Sequence, residues 1–147
     1  MYGLILFIHV LAATVWAGGH LVLALTVLPR ALRQRSPQVL LDFEQGYERV
    51  GMPALLLQVL TGLYMAHQLV PDVARWLAPD DGVTRAVALK LGLLALTVLI
   101  AAHARLRVVP RLSAATLPLM AWHVAAVTLL AVAFVAVGVA LRLGGVG

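Results

Sequence analysis

The sequence predicts an all-α integral membrane protein, a four-helix bundle with both ends outside and a short amphipathic helix between its first two spans. Three observations lead there. The chain is 63% hydrophobic and only 12% charged over 147 residues, whereas a soluble domain is nearer half apolar and about a quarter charged. Its uncharged runs are long enough to cross a bilayer, and its basic residues gather between them. Lipid is therefore the expected partner. The length fits a single transmembrane domain, 1–147, with no room for a separate soluble module.

Each span follows from an uncharged run. The first charge is Arg30, and a hydrocarbon core of about 30 Å needs about 20 apolar residues. Helix one is expected over about 3–28, too long for a signal-peptide core and lacking a basic start. The second run, from Val50 to Pro71, gives helix two at about 50–70. Asp72 then opens a loop with Pro79, Asp80, Asp81 and Gly82. Helix three is expected at about 86–104, with Lys90 its one interior charge, near enough to the end to snorkel. Helix four, at about 114–141, lies between Arg111 and Arg142.

The basic residues orient the bundle. Arg30, Arg33, Arg35, Arg49, Arg105, Arg107 and Arg111 fall on one side, and Arg75, Arg85, Lys90 and Arg142 on the other. The excess belongs in the cytoplasm, which leaves both chain ends outside. Within the first inner connection, Ser36-Pro37 reads as an N-cap with proline at the first helical position. Leu40, Phe43, Tyr47 and Val50 follow at helical spacing, so a short amphipathic helix is expected at the membrane surface, running almost directly into helix two.

Several function classes drop out. With no cysteine there is no disulfide framework, thiolate metal site or cysteine nucleophile. The charge of +5 is spread through short loops, without the basic stripe or aromatic platform of a nucleic-acid binder. Ser36 and Ser113 both lie in loops, with no nucleophile elbow, P-loop or dinucleotide glycine motif.

The histidines carry the chemistry. All five, His9, His20, His67, His103 and His123, fall inside predicted spans. Ionisable groups at membrane depth are costly and mark sites by default, although each could simply bond a neighbouring carbonyl. His9 and His67 lie near the outer ends of their helices, with Lys90 at a similar level. His103 and His123 lie toward the inner side, and His20 inclines to them. His9 and His20 are eleven residues apart, which places them on one face about 16 Å apart, with Trp16 between. Gly18, Gly19 and Gly92 beside these stripes serve close helix packing, or make room for a flat macrocycle.

Imidazoles from facing helices can ligate haem iron, copper or zinc. Met1, Met52, Met65 and Met120 form no sulfur cluster for copper, and no Asp or Glu lies within a span to assist zinc. The residues alone favour haem over copper, and copper over zinc.

The order His9, then Trp16-Ala17-Gly18-Gly19, then Leu28-Pro29-Arg30 resembles the first helix of the CopD-like and HemJ-like membrane proteins. Glu48-Arg49-Val50-Gly51-Met52-Pro53 with Thr61-Gly62-Leu63-Tyr64 is similar to their second helix, and Leu89-Lys90-Leu91 with His103 to their third. The resemblance spans nearly the whole chain through short apolar motifs. It implies either copper uptake or resistance at the bacterial inner membrane, or a haem b protein that oxidises protoporphyrinogen. In the latter, a helix-one histidine and a helix-three lysine match His9 and Lys90. His20, His67 and His123 depart from that second pattern.

The leading expectation is an electron-transferring protein with one or two haem b groups. His9 and His67 would ligate an outer haem with Lys90 near a propionate. Two of His20, His103 and His123 would ligate an inner one, and Trp16 would line the site. Copper held by the same histidines is the alternative, and a porphyrinogen-oxidising enzyme the next. A redox partner or quinone is not identified by the sequence, and a homo-oligomer is left open.

Overall fold

The computed structural model describes residues 1–145. It is helical throughout, with no strand among the described residues. Four segments are long and apolar enough to cross a membrane: Tyr2–Gln34, Pro37–Leu69, Gly82–Arg111 and Leu117–Arg142.

The first crossing is longer than the expected 3–28. It consists of α1 (Tyr2–Val22), a π-helical turn (Leu23–Val27) and α2 (Leu28–Gln34). Pro29 has no N–H to give Leu25, so the ladder widens there, and Leu28 N–H bonds the Leu23 carbonyl. Arg35 closes α2 in the left-handed region at φ 49°. Its N–H bonds Leu32 at 3.2 Å and that of Ser36 bonds Ala31 at 3.0 Å, a Schellman stop.

The amphipathic segment expected before the second span is helical and starts at Ser36-Pro37, but it is neither short nor distinct from that span. Pro37–Leu69 is a single 33-residue helix, α3. Ser36 stands at its N-cap and Pro37 in its first turn, although the serine side chain makes no capping bond. Pro53 removes one backbone bond but does not end the helix, because the residues on both sides keep theirs. The polar stretch 37–49 is thus a rigid extension of the second crossing.

A 3₁₀ turn, Val73–Trp76, leads to α4 (Gly82–His103). Asp81 and Thr84 form a reciprocal capping box at its start. Another π turn (Ala104–Val108) and a 3₁₀ turn (Val109–Arg111) prolong α4, again beside a proline, Pro110. Finally α5 runs from Leu117 to Arg142.

In the loop between α3 and α4 Arg75 bonds Asp80 at 2.6 Å and Asp81 at 2.8 Å. The guanidinium holds the Asp80 carboxyl below its usual range, and the Thr84 backbone N–H chiefly does so for Asp81. A depressed folded-state value stabilises above the ordinary carboxylate range, and that contribution is lost as pH falls through it. Thermal unfolding in detergent is therefore expected to come earlier below about pH 4. Arg75→Gln should make that dependence shallower, and an unchanged profile would detach the stability from this clasp.

The helices alternate in direction. Helix α1 packs between α3 and α5, and α4 packs on α5. Two clusters close the ends. Leu28, Ala31, Leu40, Val108, Leu117 and Val124 are buried together at the arginine-rich end. Val70, Trp76 and Val87 are buried at the other. Between them Trp16, Ala17, Val127 and Ala131 fill the middle. Arg105 ties the end of α4 to α3, reaching Glu48 at 3.2 Å and Glu44 at 3.7 Å.

Candidate functional site

Four of the histidines occupy three layers. In the layer farthest from the arginine-rich end, His9 on α1 meets Thr61 on α3, with Nδ1 and Oγ1 2.9 Å apart. The Thr61 hydroxyl donates its single proton to the Leu57 carbonyl at 2.5 Å, so it accepts from His9. Nδ1 therefore carries the ring proton of neutral His9, and the Nε2 lone pair is left over. Gly62 allows this approach, since a Cβ there would lie 3.2 Å from His9 Cε1. Lys90 joins the layer from α4, close enough to His9 for the two to interact electrostatically. Its Nζ lies against Gly138 of α5, 3.5 Å from where a Cβ would be. One turn before Thr61, the Gln58 Oε1 atom is buried with no hydrogen-bond partner among the described residues.

In the next layer, His20 Nδ1 donates to the Trp16 carbonyl at 2.9 Å, which again leaves Nε2 as the lone-pair nitrogen. The same carbonyl accepts from Tyr47 Oη at 2.9 Å. The His20 ring lies 4.7 Å from the Trp16 ring and meets Tyr47 edge-on at 5.9 Å, while Trp16 also packs edge-on against Phe134. Trp16 thus organises the core and orients His20. The Thr128 hydroxyl donates to the Val124 carbonyl of its own helix at 2.7 Å, and its oxygen lies 3.2 Å from the His20 carbonyl, where α5 meets α1.

Gly19 is explained by packing. A Cβ at that position would collide with the Tyr47 ring, which fills the space that a macrocycle would have needed. Gly18 and Gly92 have nothing within 4 Å of such a Cβ. Gly92 lines a shallow apolar groove on the outside of α4 with Ala88, Leu89 and Leu96.

At the arginine-rich end His103 and His123 pair across α4 and α5. Their rings stack at 10° with centroids 5.0 Å apart, and His103 Nδ1 lies 2.8 Å from His123 Nε2. His123 Nδ1 donates to the Leu119 carbonyl at 2.8 Å. In the neutral pair His103 Nδ1–H therefore donates to His123, and His103 Nε2 remains free.

Other expected pairings are not formed. His67 is exposed and makes no hydrogen bond or ring contact among the described residues. It stands about 120° round α3 from Thr61, where His9 docks, so the two imidazoles do not converge. His20 faces Trp16 and Tyr47 rather than the His103–His123 pair. Among the described residues no group of three or more His, Asp or Glu side chains forms a metal cluster. A bis-histidine haem needs two imidazoles facing across the macrocycle. His9 and His67 diverge, and His103 and His123 bond each other directly, so neither pair offers that slot.

Three partners escaped sequence reasoning: Gln58, Thr61 and Tyr47. The signal available for the first two was that each is a polar side chain inside an uncharged run, which the membrane turns inward.

Residues 41–141 match a family described as CopD, copper resistance protein D. The chain belongs to the CopD family. No curated protein and no solved structure matches it. The matched region of this CopD-family protein takes in His67, Lys90, His103 and His123. It begins after α1, so His9, Trp16 and His20 lie outside it.

Proposed function

We propose that this CopD-family protein handles copper as its cargo in the bacterial inner membrane, with the arginine-rich end in the cytoplasm. Neutral imidazoles at successive depths would bind the ion. The observation that carries this reading is the shared anchoring of His9, His20 and His103. Each is oriented through Nδ1 and leaves Nε2 without a hydrogen bond among the described residues. A hydrogen bond on the second ring nitrogen is the usual support for a metal-ligating histidine, because it fixes both tautomer and ring direction. The family match supports copper as the metal. Gln58 Oε1, buried beside the His9 layer, is an acceptor of the kind that a hydrated cation satisfies. The haem b and electron-transfer reading is weaker on the same geometry, since it lacks facing imidazoles.

The test is elemental analysis of detergent-purified protein after copper loading and removal of excess, with an absorption spectrum alongside. Stoichiometric copper without a Soret band is expected. The double variants His9→Ala/His20→Ala and His103→Ala/His123→Ala should each lower the copper retained. Copper absent from the wild type in both oxidation states, or retained by both variants at the wild-type level, would overturn the reading.

A further inference from the structure

At the end of α4, His103, Arg107, Val108, Arg111, Thr116 and Leu119 line one concavity. Its backbone is held firmly. Val108 is 3% exposed and anchored in the core cluster of that end. The Thr116 hydroxyl donates to the Arg111 carbonyl at 2.9 Å and accepts from the Ser113 N–H at 2.8 Å, which closes the turn leading into α5. Thr116 and Leu117 N–H groups both bond the Ser113 carbonyl. Two arginines line the concavity beside this turn. Arg105 is committed to Glu44 and Glu48, but Arg107 and Arg111 form no ion pair among the described residues.

Two unpaired guanidiniums converging on one hollow call for an anion with several acceptor oxygens, and planar guanidinium suits phosphate. The hollow also has apolar walls, Val108 and Leu119, and the neighbouring Leu106 is 72% exposed. It sits where the third and fourth crossings meet the membrane edge. A free anion has no use for such walls, whereas a lipid places its phosphate at the arginines and its acyl chains along the leucines.

We propose that this concavity seats the phosphate headgroup of an anionic phospholipid, held by Arg107 and Arg111. The site shares His103 with the copper reading but does not rest on it, and needs only that the four helices lie in a bilayer. Anionic lipid attracts a basic side chain near the surface by an amount equivalent to roughly fivefold in affinity. The loss of both guanidiniums should therefore exceed tenfold.

The experiment is native mass spectrometry of the full chain in detergent, titrated with short-chain phosphatidylglycerol, phosphatidylcholine or inorganic phosphate. One tightly held phosphatidylglycerol is expected, displaced by neither of the others. Arg107→Gln/Arg111→Gln should lose it, and Arg107→Lys/Arg111→Lys should keep part of it. Arg30→Gln/Arg33→Gln, which removes the same charge from the same end of the bundle, should bind as the wild type does. Equal loss in that control would mean diffuse charge attraction and overturn the site. Displacement by inorganic phosphate alone would make it a free-anion site and overturn the lipid assignment. Undiminished binding by the Arg107→Gln/Arg111→Gln protein would also overturn it.

Discussion

Gly19→Ala is expected to destabilise the bundle by about 3 kcal/mol, far more than one methyl group on a membrane helix normally would. The added Cβ falls on the Tyr47 ring, with Oη only 2.6 Å away and Cε2 and Cζ nearer still. The ring has no easy retreat. On its other edge a Cβ at Gly51 would lie 2.6 Å from Cε1, so the tyrosine occupies the space that two glycines leave open. Shifting it breaks the bond from Oη to the Trp16 carbonyl at 2.9 Å and disturbs the stacking on Phe43 at 5.7 Å. Overpacking costs about 1–3 kcal/mol and a lost hydrogen bond about 1 kcal/mol more. The check is a double-mutant cycle by thermal or denaturant unfolding in detergent. In a Tyr47→Ala background Gly19→Ala should become nearly neutral, because the partner of the clash is gone. Equal costs in both backgrounds would show that Tyr47 is not what the glycine accommodates.

If His9 binds copper as proposed, Thr61→Val is expected to weaken that binding by about 10–100-fold while leaving the bundle folded. Valine keeps the shape of threonine but removes the oxygen that receives the His9 Nδ1 proton at 2.9 Å. The ring is then free to rotate or change tautomer, and the direction of Nε2 is no longer fixed. Thr61→Ser keeps the hydroxyl and should restore most of the affinity. Competition titration against a chelator of known copper affinity measures both variants. Wild-type affinity in Thr61→Val would separate this hydrogen bond from metal binding, even if His9→Ala still abolished it.

The charge pattern made the crossings legible. A bilayer accepts only segments that satisfy their own backbone hydrogen bonds and keep charge out of the hydrocarbon, so uninterrupted apolar runs are an unambiguous signal. All four helices appear where those runs lie. Their ends were harder to place. The start of α3 was visible in Ser36-Pro37, and its passage through Pro53 was expected. That the stretch 37–49 and the second span form one unbroken helix was not, because no local signal near Val50 decides it.

The site was legible as a set of residue types and depths, but not as a set of partners. Within lipid, leucine and valine serve equally against a neighbouring helix or an acyl chain, so an apolar span does not declare which face turns inward. The pairing of His9 with Thr61 rather than with His67 depends on the rotation of α3 about its axis. The contact between His103 and His123 depends on the antiparallel register of α4 and α5. The sequence by itself determined a four-span α-helical membrane protein with imidazoles at membrane depth, because solvent exclusion acts on each segment separately. Which imidazoles face one another, and what holds each ring, was decided only by the tertiary structure, because those contacts join residues far apart in the chain whose alignment no local pattern encodes.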